Sequence, residues 1–283
     1  MKKGMKQSSW GCTIFIQLSL CLVVYVCLGH PFFFSSNDGD GDNAGALDLH
    51  FISVSGGFRD LHPQTRLLRL MERVAETYNA KFVVSTSEHG EEDPLLQNAT
   101  RISSKLKLPW YTRKIGSGSS REQIKFPFGG SLDVVFVGTG SLQKEVLGGS
   151  MISQLKGLTK ILKAANGDWR IVVGSDPLLV YTLTKEPEEA KGVAGTFHQI
   201  MTKYEVNLYI SEKGCTSDKS FSSCITVPNV SENRGSTNDS KREMEDGFLL
   251  HRVSLSEFVT YTINLSGQVI DTRLFKQKGK ETI

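Results

Sequence analysis

The sequence predicts an α/β protein in which strands and helices alternate before a final antiparallel meander. Short runs rich in β-branched and aromatic residues, such as Leu49–Val54 and Trp169–Val173, are followed by serine or glycine. Segments between such runs carry apolar residues at helical spacing, as in Gln64–Asn79. From Gly247 onward apolar and polar residues alternate, which is typical of antiparallel strands. Together these patterns indicate a layered α/β sheet.

The same patterns place each element along the chain. The predicted strands are 49–54, 81–85, 131–137, 169–173, 206–210, 247–254, 258–265 and 268–275. The predicted helices are 64–79, 149–165 and 192–204. Segment 211–246 is rich in Ser, Asn, Lys and Glu and poor in large apolar residues, so it is predicted to be a mobile polar loop.

Composition limits the classes of protein to consider. The chain has 283 residues, of which 39% are hydrophobic and 22% charged, and this is ordinary globular composition. A net charge of +3 is close to neutral for this length and lacks the basic excess of a nucleic-acid-binding domain. One domain over 49–283 accounts for most of the chain, and no nucleic-acid partner is expected.

The N-terminus carries a membrane-targeting signal. Three lysines within the first six residues precede an apolar run, Ile14–Leu28. A retained signal anchor would leave residues 1–34 as a cytoplasmic tail and membrane segment, by the positive-inside rule. The alternative is a signal peptide that is cleaved near Cys27–Gly29. The bulky residues Val23–Val26 lie just before that cleavage site and disfavour it. Both interpretations send the rest of the chain into the secretory pathway, either as a lumenal or extracellular domain or as a secreted protein.

A linker is predicted to join this segment to the domain. Residues 35–48 are rich in glycine, aspartate and asparagine. Asp38, Asp40 and Asp42 alternate as in a calcium loop, but Asn43 and Leu49 stand where an EF-hand needs glycine and glutamate. The stretch is therefore predicted to be a flexible linker.

Two kinds of modification fit an exported domain. Glycosylation sequons begin at Asn98, Asn229, Asn238 and Asn264. Cys215 and Cys224 are the two cysteines that follow the apolar segment. They could be free thiols in a polar loop, but an exported domain and a short intervening loop favour a disulfide.

Common catalytic motifs are missing from the sequence. The six histidines are scattered, with no pair at metal-ligand spacing. No G-x-S-x-G motif offers a nucleophilic serine. Ligand-binding residues of open α/β sheets lie at the carboxyl ends of strands, so the segments that follow the predicted strands hold the remaining candidates.

Four framework segments, taken with these loops, resemble one enzyme family. Phe82–Thr86, Pro109–Tyr111, Trp169–Gly174 and Val206–Tyr209 look like segments of the low-molecular-weight, tartrate-resistant purple acid phosphatases. Those enzymes are calcineurin-like metallophosphoesterases, and order and spacing match over Leu49–Cys215. The resemblance implies two packed mixed β-sheets flanked by helices in four layers, and an Fe/Zn/Mn di-metal centre.

The metal-binding motifs of that family are degenerate in this chain. Gly56 stands where the first aspartate is expected. Glu88 replaces the bridging aspartate, and Glu91 replaces the iron-binding tyrosine. The loop with Asp176 lacks its histidine, and Lys213 places a positive charge in the last motif. No catalytic residue, metal ligand or cofactor is assigned, although Glu88, Glu91 and Asp176 are weak remnant candidates for one hard cation.

Three functions are weighed on this basis. The leading hypothesis is a membrane-anchored, catalytically inactive phosphatase-like domain that binds or scaffolds a partner. An active metal-dependent phosphomonoesterase with an altered site would have to use Glu88, Glu91, Asp176 and His89.

The third hypothesis is an anion- or glycan-binding module in the former active-site cleft. Arg59, Lys114 and Lys213 are the basic residues expected near that cleft. The expected partners are thus the membrane and a protein or anionic ligand.

Overall fold

The computed structural model describes residues 48–103, 106–113, 118–127, 129–138, 149–175, 188–212, 214–215, 223–229 and 246–277. The predicted membrane segment 1–34 and nearly all of the linker lie outside these ranges. No helix within them is long and apolar enough to cross a bilayer. Asp176, Lys114, Lys213 and Asn238 also lie outside the described residues.

Eleven strands occur in the described ranges, and we number them in chain order. They are β1 Leu49–Val54, β2 Val83–Ser85, β3 Trp110–Tyr111, β4 Ser119–Lys125, β5 Ser131–Val137, β6 Trp169–Gly174, β7 Leu208–Ser211, β8 Cys224–Thr226, β9 Gly247–Val253, β10 Glu257–Asn264 and β11 Val269–Lys276.

These strands form two mixed sheets. The first has the order β11-β10-β9-β1-β2-β3, with β1, β2 and β3 parallel and the last three strands antiparallel. The second has the order β4-β5-β6-β7-β8, in which only the β4–β5 pair is antiparallel. Parallel neighbours place the carboxyl ends of β1 and β2, and likewise of β6 and β7, at a common edge of their sheet.

Four α-helices within the described ranges cover the outer faces of the sheets. They are α1 Leu61–Thr77, α2 Pro94–Ile102, α3 Gly149–Ala164 and α4 Glu188–Lys203. Leu67, Leu70, Met71 and Val74 recur at helical spacing on α1 and are buried. The side chain of Asp93 caps α2 by accepting hydrogen bonds from two backbone amides of its first turn.

Three apolar clusters hold the layers together. The central cluster lies between the sheets and includes Phe51, Phe136, Trp169 and Phe258, each at most 2% exposed. A second cluster joins α1 and α2 to the first sheet, and a third joins α3 and α4 to the second sheet. The order helix–sheet–sheet–helix confirms the predicted pair of mixed sheets flanked by helices.

Some elements differ from the sequence prediction. Ser119–Lys125 is a strand that hydrophobic patterning missed, because β4 is a largely polar strand at a sheet edge. Helix α2, nine residues long, was also missed. The predicted polar loop 211–246 contains β8, which pairs with β7 through Tyr209 opposite Cys224. The segment predicted to be a loop therefore contains the edge strand of the second sheet.

His251 on β9 is a buried polar group between the sheets. Its ring is 0% exposed and stacks on Phe51 with centroids 4.4 Å apart. Nδ1 lies 2.9 Å from Thr260 Oγ1, and Nε2 lies 2.9 Å from Ser53 Oγ. Burial lowers the pKa of His251 to about 3 because the charged imidazolium would lose its hydration. The folded domain therefore contains a neutral imidazole.

Acidification should destabilise the domain through His251. The unfolded chain takes up this proton near pH 6.5 and the folded chain only near pH 3, so stability falls as the pH drops below 6.5. At pH 5 the expected loss is about 2 kcal/mol relative to pH 7, from about 1.4 kcal/mol per pH unit. Urea unfolding at pH 7 and pH 5 measures this difference in the free energy of unfolding. In His251→Gln the difference should be smaller than in wild type by about 2 kcal/mol.

The matched control is His89→Gln, at an exposed position. It should keep the wild-type pH dependence. Burial also lowers the pKa of His50, so the difference between variant and wild type, not the total slope, reports on His251. An equal slope in His251→Gln and wild type would contradict the prediction.

Candidate functional site

The loops that follow β1, β2, β6 and β7 meet at one place between the two sheets. Ser55 follows β1, Glu88 lies beyond β2, Ser175 follows β6 and Glu212 follows β7. Direct hydrogen bonds between these residues show that they are neighbours. This is the position at which the family resemblance implies a metal centre.

Glu212 connects the two sheets at this site. Its Oε1 accepts a hydrogen bond of 2.7 Å from Ser55 Oγ and one of 3.0 Å from Asn229 Nδ2. Its backbone amide donates to the carbonyl of Ser175 at 3.2 Å. One carboxylate oxygen thus serves as acceptor for groups of both sheets. Glu212 was not predicted as a site residue, because the motif that contains it is notable in the sequence only for its lack of histidine.

A second link joins β6 to the loop after β2. Ser175 Oγ donates to Glu88 Oε1 at 2.6 Å. Ser175 is buried, whereas Glu88 is exposed to solvent. A short charge-assisted hydrogen bond of this kind stabilises the carboxylate where it is. The structure therefore brings Glu88 to the predicted site, where it binds a serine hydroxyl.

Asp93 occupies the space beside Gly56. A Cβ atom on residue 56 would lie less than 3.0 Å from both Asp93 Oδ2 and Ser87 Cβ. Asp93 is 1% exposed, and the same Oδ2 accepts a 2.7 Å hydrogen bond from the amide of Gly57. Its Oδ1 caps α2 through Leu95 N at 2.9 Å. The place where the resemblance expects a first metal ligand is thus occupied by the Asp93 carboxylate, which accepts hydrogen bonds from backbone amides.

Arg59 lies under the same loop and corrects one sequence prediction. Its guanidinium faces both carboxylate oxygens of Asp246 at 3.3 Å, and it donates to the carbonyls of Ser55 and Gly56 at 2.9 and 3.3 Å. The side chains of Arg59 and Asp246 are 4% and 0% exposed. Arg59 is therefore engaged inside the protein, and the predicted use of this residue for an anion in the cleft is wrong.

Other predicted site residues are dispersed or exposed. Glu91 lies on an exposed 3-10 turn, Gly90–Glu92, and His89 precedes that turn and is exposed too. Within the part of the chain that the structure describes, no three His, Cys, Asp or Glu side chains are grouped as a metal site would need. What the loops share is a set of serine–carboxylate hydrogen bonds.

The cysteines and sequons have distinct surroundings. A disulfide joins Cys215 to Cys224, with their Cα atoms 5.8 Å apart. Asn98 and Asn229 are partly exposed, and their amide nitrogens donate to Gln64 and Glu212. Asn264 is 0% exposed in β10, so a glycan on its amide has no room. Glycosylation at Asn98, Asn229 and Asn264 stays a prediction, and burial disfavours it at Asn264.

Comparison with known proteins places the fold. No protein-family model and no curated protein sequence matches the chain. Among solved structures, GAP50, described as the anchor in the inner membrane complex of Plasmodium, matches with a TM-score of 0.59 and 17% identity. The match covers 83% of this chain and 91% of GAP50. The chain has the fold of GAP50.

Two further solved structures match with lower TM-scores. A predicted phosphoesterase from Streptococcus pneumoniae TIGR4 has a TM-score of 0.37 and 9% identity, over 81% of this chain and 98% of its own. PhoD has a TM-score of 0.43 and 10% identity, over 81% and 68%.

Proposed function

We propose that the protein is a purple acid phosphatase-like domain that does not turn over substrate and acts as a binding or scaffolding module on a membrane of the secretory pathway. The observation that carries this proposal is the buried Asp93 carboxylate beside Gly56. Where an enzyme of the family would hold a metal-binding aspartate, this domain has no space for a side chain.

The chemistry of the remaining loops supports the same function. A two-metal centre needs several carboxylate and imidazole donors a few ångströms apart, to bind both cations and activate a water. Here Glu212 accepts hydrogen bonds from Ser55 and Asn229, and Glu88 accepts one from Ser175. These bonds use Oε1 of each carboxylate to hold the two sheets together. A cation at either Oε1 would compete with them.

The neighbour in fold suggests what such a domain does. GAP50 is described as an anchor in a membrane complex. A rigid two-sheet domain behind a predicted N-terminal membrane segment suits that kind of role, because it presents a fixed surface without a chemical step. The N-terminal segment would supply the attachment and the domain would supply recognition.

Metal content and phosphatase activity of the full chain, purified in neutral detergent, test this proposal. We expect substoichiometric Fe, Zn and Mn after incubation with each metal, and no turnover of p-nitrophenyl phosphate beyond a metal-free blank. An active purple acid phosphatase treated in parallel is the positive control. A stoichiometric di-metal centre would refute the proposal. So would turnover that Glu88→Ala abolishes, and that result would favour an altered active site.

A further inference from the structure

A groove on the outer face of α1 collects basic side chains. His62, Arg66, Arg69 and Arg73 are spaced four, three and four residues apart, so they share one face of the helix. The opposite face is buried against the first sheet. All four residues line a groove of about 400 Å³ between α1 and the turn that joins β10 to β11.

Two of these arginines carry charge that no described residue neutralises by an ion pair. The side chains of Arg69 and Arg73 form no ion pair with any described residue, and both are exposed. Glu72 is three residues after Arg69, but its Oε1 accepts a 2.7 Å hydrogen bond from Ser103 instead. Cations at this spacing repel one another and weaken a helix. A bound anion would remove that repulsion.

The donors suit phosphate better than a carboxylate or a simple halide. Guanidinium groups present paired N–H donors that match two phosphate oxygens at once. Arg69 and Arg73 repeat that fork along the groove. Ser266, on the facing turn, adds a hydroxyl donor. Two forks one helical turn apart can engage more than one phosphate group.

The size of the groove points the same way. Small-molecule sites commonly measure about 300–1,000 Å³, and a groove of about 400 Å³ falls in that range. A single phosphate ion would fill only part of it. Leu70 and Leu265 also line the groove, with 7% and 6% of their surfaces exposed.

We infer that this groove is a binding site for a phosphorylated ligand that carries at least two phosphate groups. Such ligands include soluble sugar phosphates and phosphoinositide headgroups. None of the groove residues belongs to the serine–carboxylate site between the sheets. The inference therefore stands independently of whether that site is catalytic.

Binding by the full chain in neutral detergent is the test, with inositol trisphosphate as the soluble probe and dioctanoyl phosphatidylinositol bisphosphate as the lipid probe. We expect Arg69→Gln/Arg73→Gln to weaken binding by about tenfold or more, since each fork makes charge-assisted hydrogen bonds. Arg69→Lys/Arg73→Lys keeps the charge but loses the fork, so its affinity should be intermediate. Circular dichroism checks that each variant is folded.

A matched control removes two positive charges elsewhere. Arg101→Gln/Lys160→Gln changes exposed residues of α2 and α3 and should alter affinity less than twofold, a small effect typical of surface charges. Binding of both probes supports a phosphoinositide headgroup, and binding of the soluble probe alone supports a soluble phosphate ester. Absence of binding, equal loss in the control, or equal affinity for dioctanoyl phosphatidylserine would overturn the inference.

Discussion

Replacing Gly56 with aspartate should destabilise the domain by at least about 3 kcal/mol and should not create a metal site. Any Cβ at this position would approach Asp93 Oδ2 and Ser87 Cβ to less than 3.0 Å. The new carboxylate would also face the buried carboxylate of Asp93, and like charges in that position repel. Urea unfolding with the full chain measures the loss.

Two variants separate the causes of that loss. Gly56→Ala introduces the same Cβ without a charge, so it should account for most of the destabilisation. Gly195→Ala is the control, because a Cβ there meets nothing within 4 Å and alanine favours the α4 helix by about 0.5–1 kcal/mol. If Gly56→Asp were as stable as wild type and bound Zn or Fe stoichiometrically, the blocked-site argument would be wrong.

The second large effect is expected at the buried pair of Arg59 and Asp246. Asp246→Ala should cost about 3–5 kcal/mol, because it leaves an uncompensated guanidinium inside the protein. The loss should also loosen the loop after β1, since Arg59 holds the carbonyls of Ser55 and Gly56. Urea unfolding gives the energy, and amide exchange at residues 55–57 reports on the loop.

A surface ion pair supplies the comparison. Asp271 lies 3.0 Å from Arg273, and both side chains are about half exposed. Asp271→Ala should therefore change stability by less than about 1 kcal/mol. Replacing both buried partners, as Arg59→Met/Asp246→Leu, should cost less than Asp246→Ala alone because no charge is left unpaired. A double variant that is less stable than the single variant would contradict this account.

Much of the architecture could be predicted from local patterns. The helical spacing of Leu67, Leu70, Met71 and Val74 placed α1 to within three residues of its start. Runs of β-branched residues located β1, β5 and β6, since the pattern of burial follows directly from residue type. Elements with weak patterns, such as the polar edge strand β4, were missed because pairing and not hydrophobicity makes them strands.

The site was predicted only in part. The sequence directed attention to the segments after β2 and β6, and Glu88 and Ser175 from these segments are joined by a hydrogen bond. The role of Asp93 was missed. Its place before a helix indicates a helix cap, but the sequence gives no sign that it also contacts Gly57, 36 positions earlier. Arg59 was expected in the cleft, but its partner Asp246 is 187 positions away along the chain.

The sequence by itself determined the alternation of strands and helices and the presence of glycine, and not aspartate, at position 56. Those are local properties, fixed by the identity and spacing of neighbouring residues. The tertiary structure alone decided that Asp93 fills the space beside Gly56, that Arg59 is buried in an ion pair, and that Asn264 is buried. These outcomes depend on which distant side chains packing brings into contact, and no local pattern encodes that.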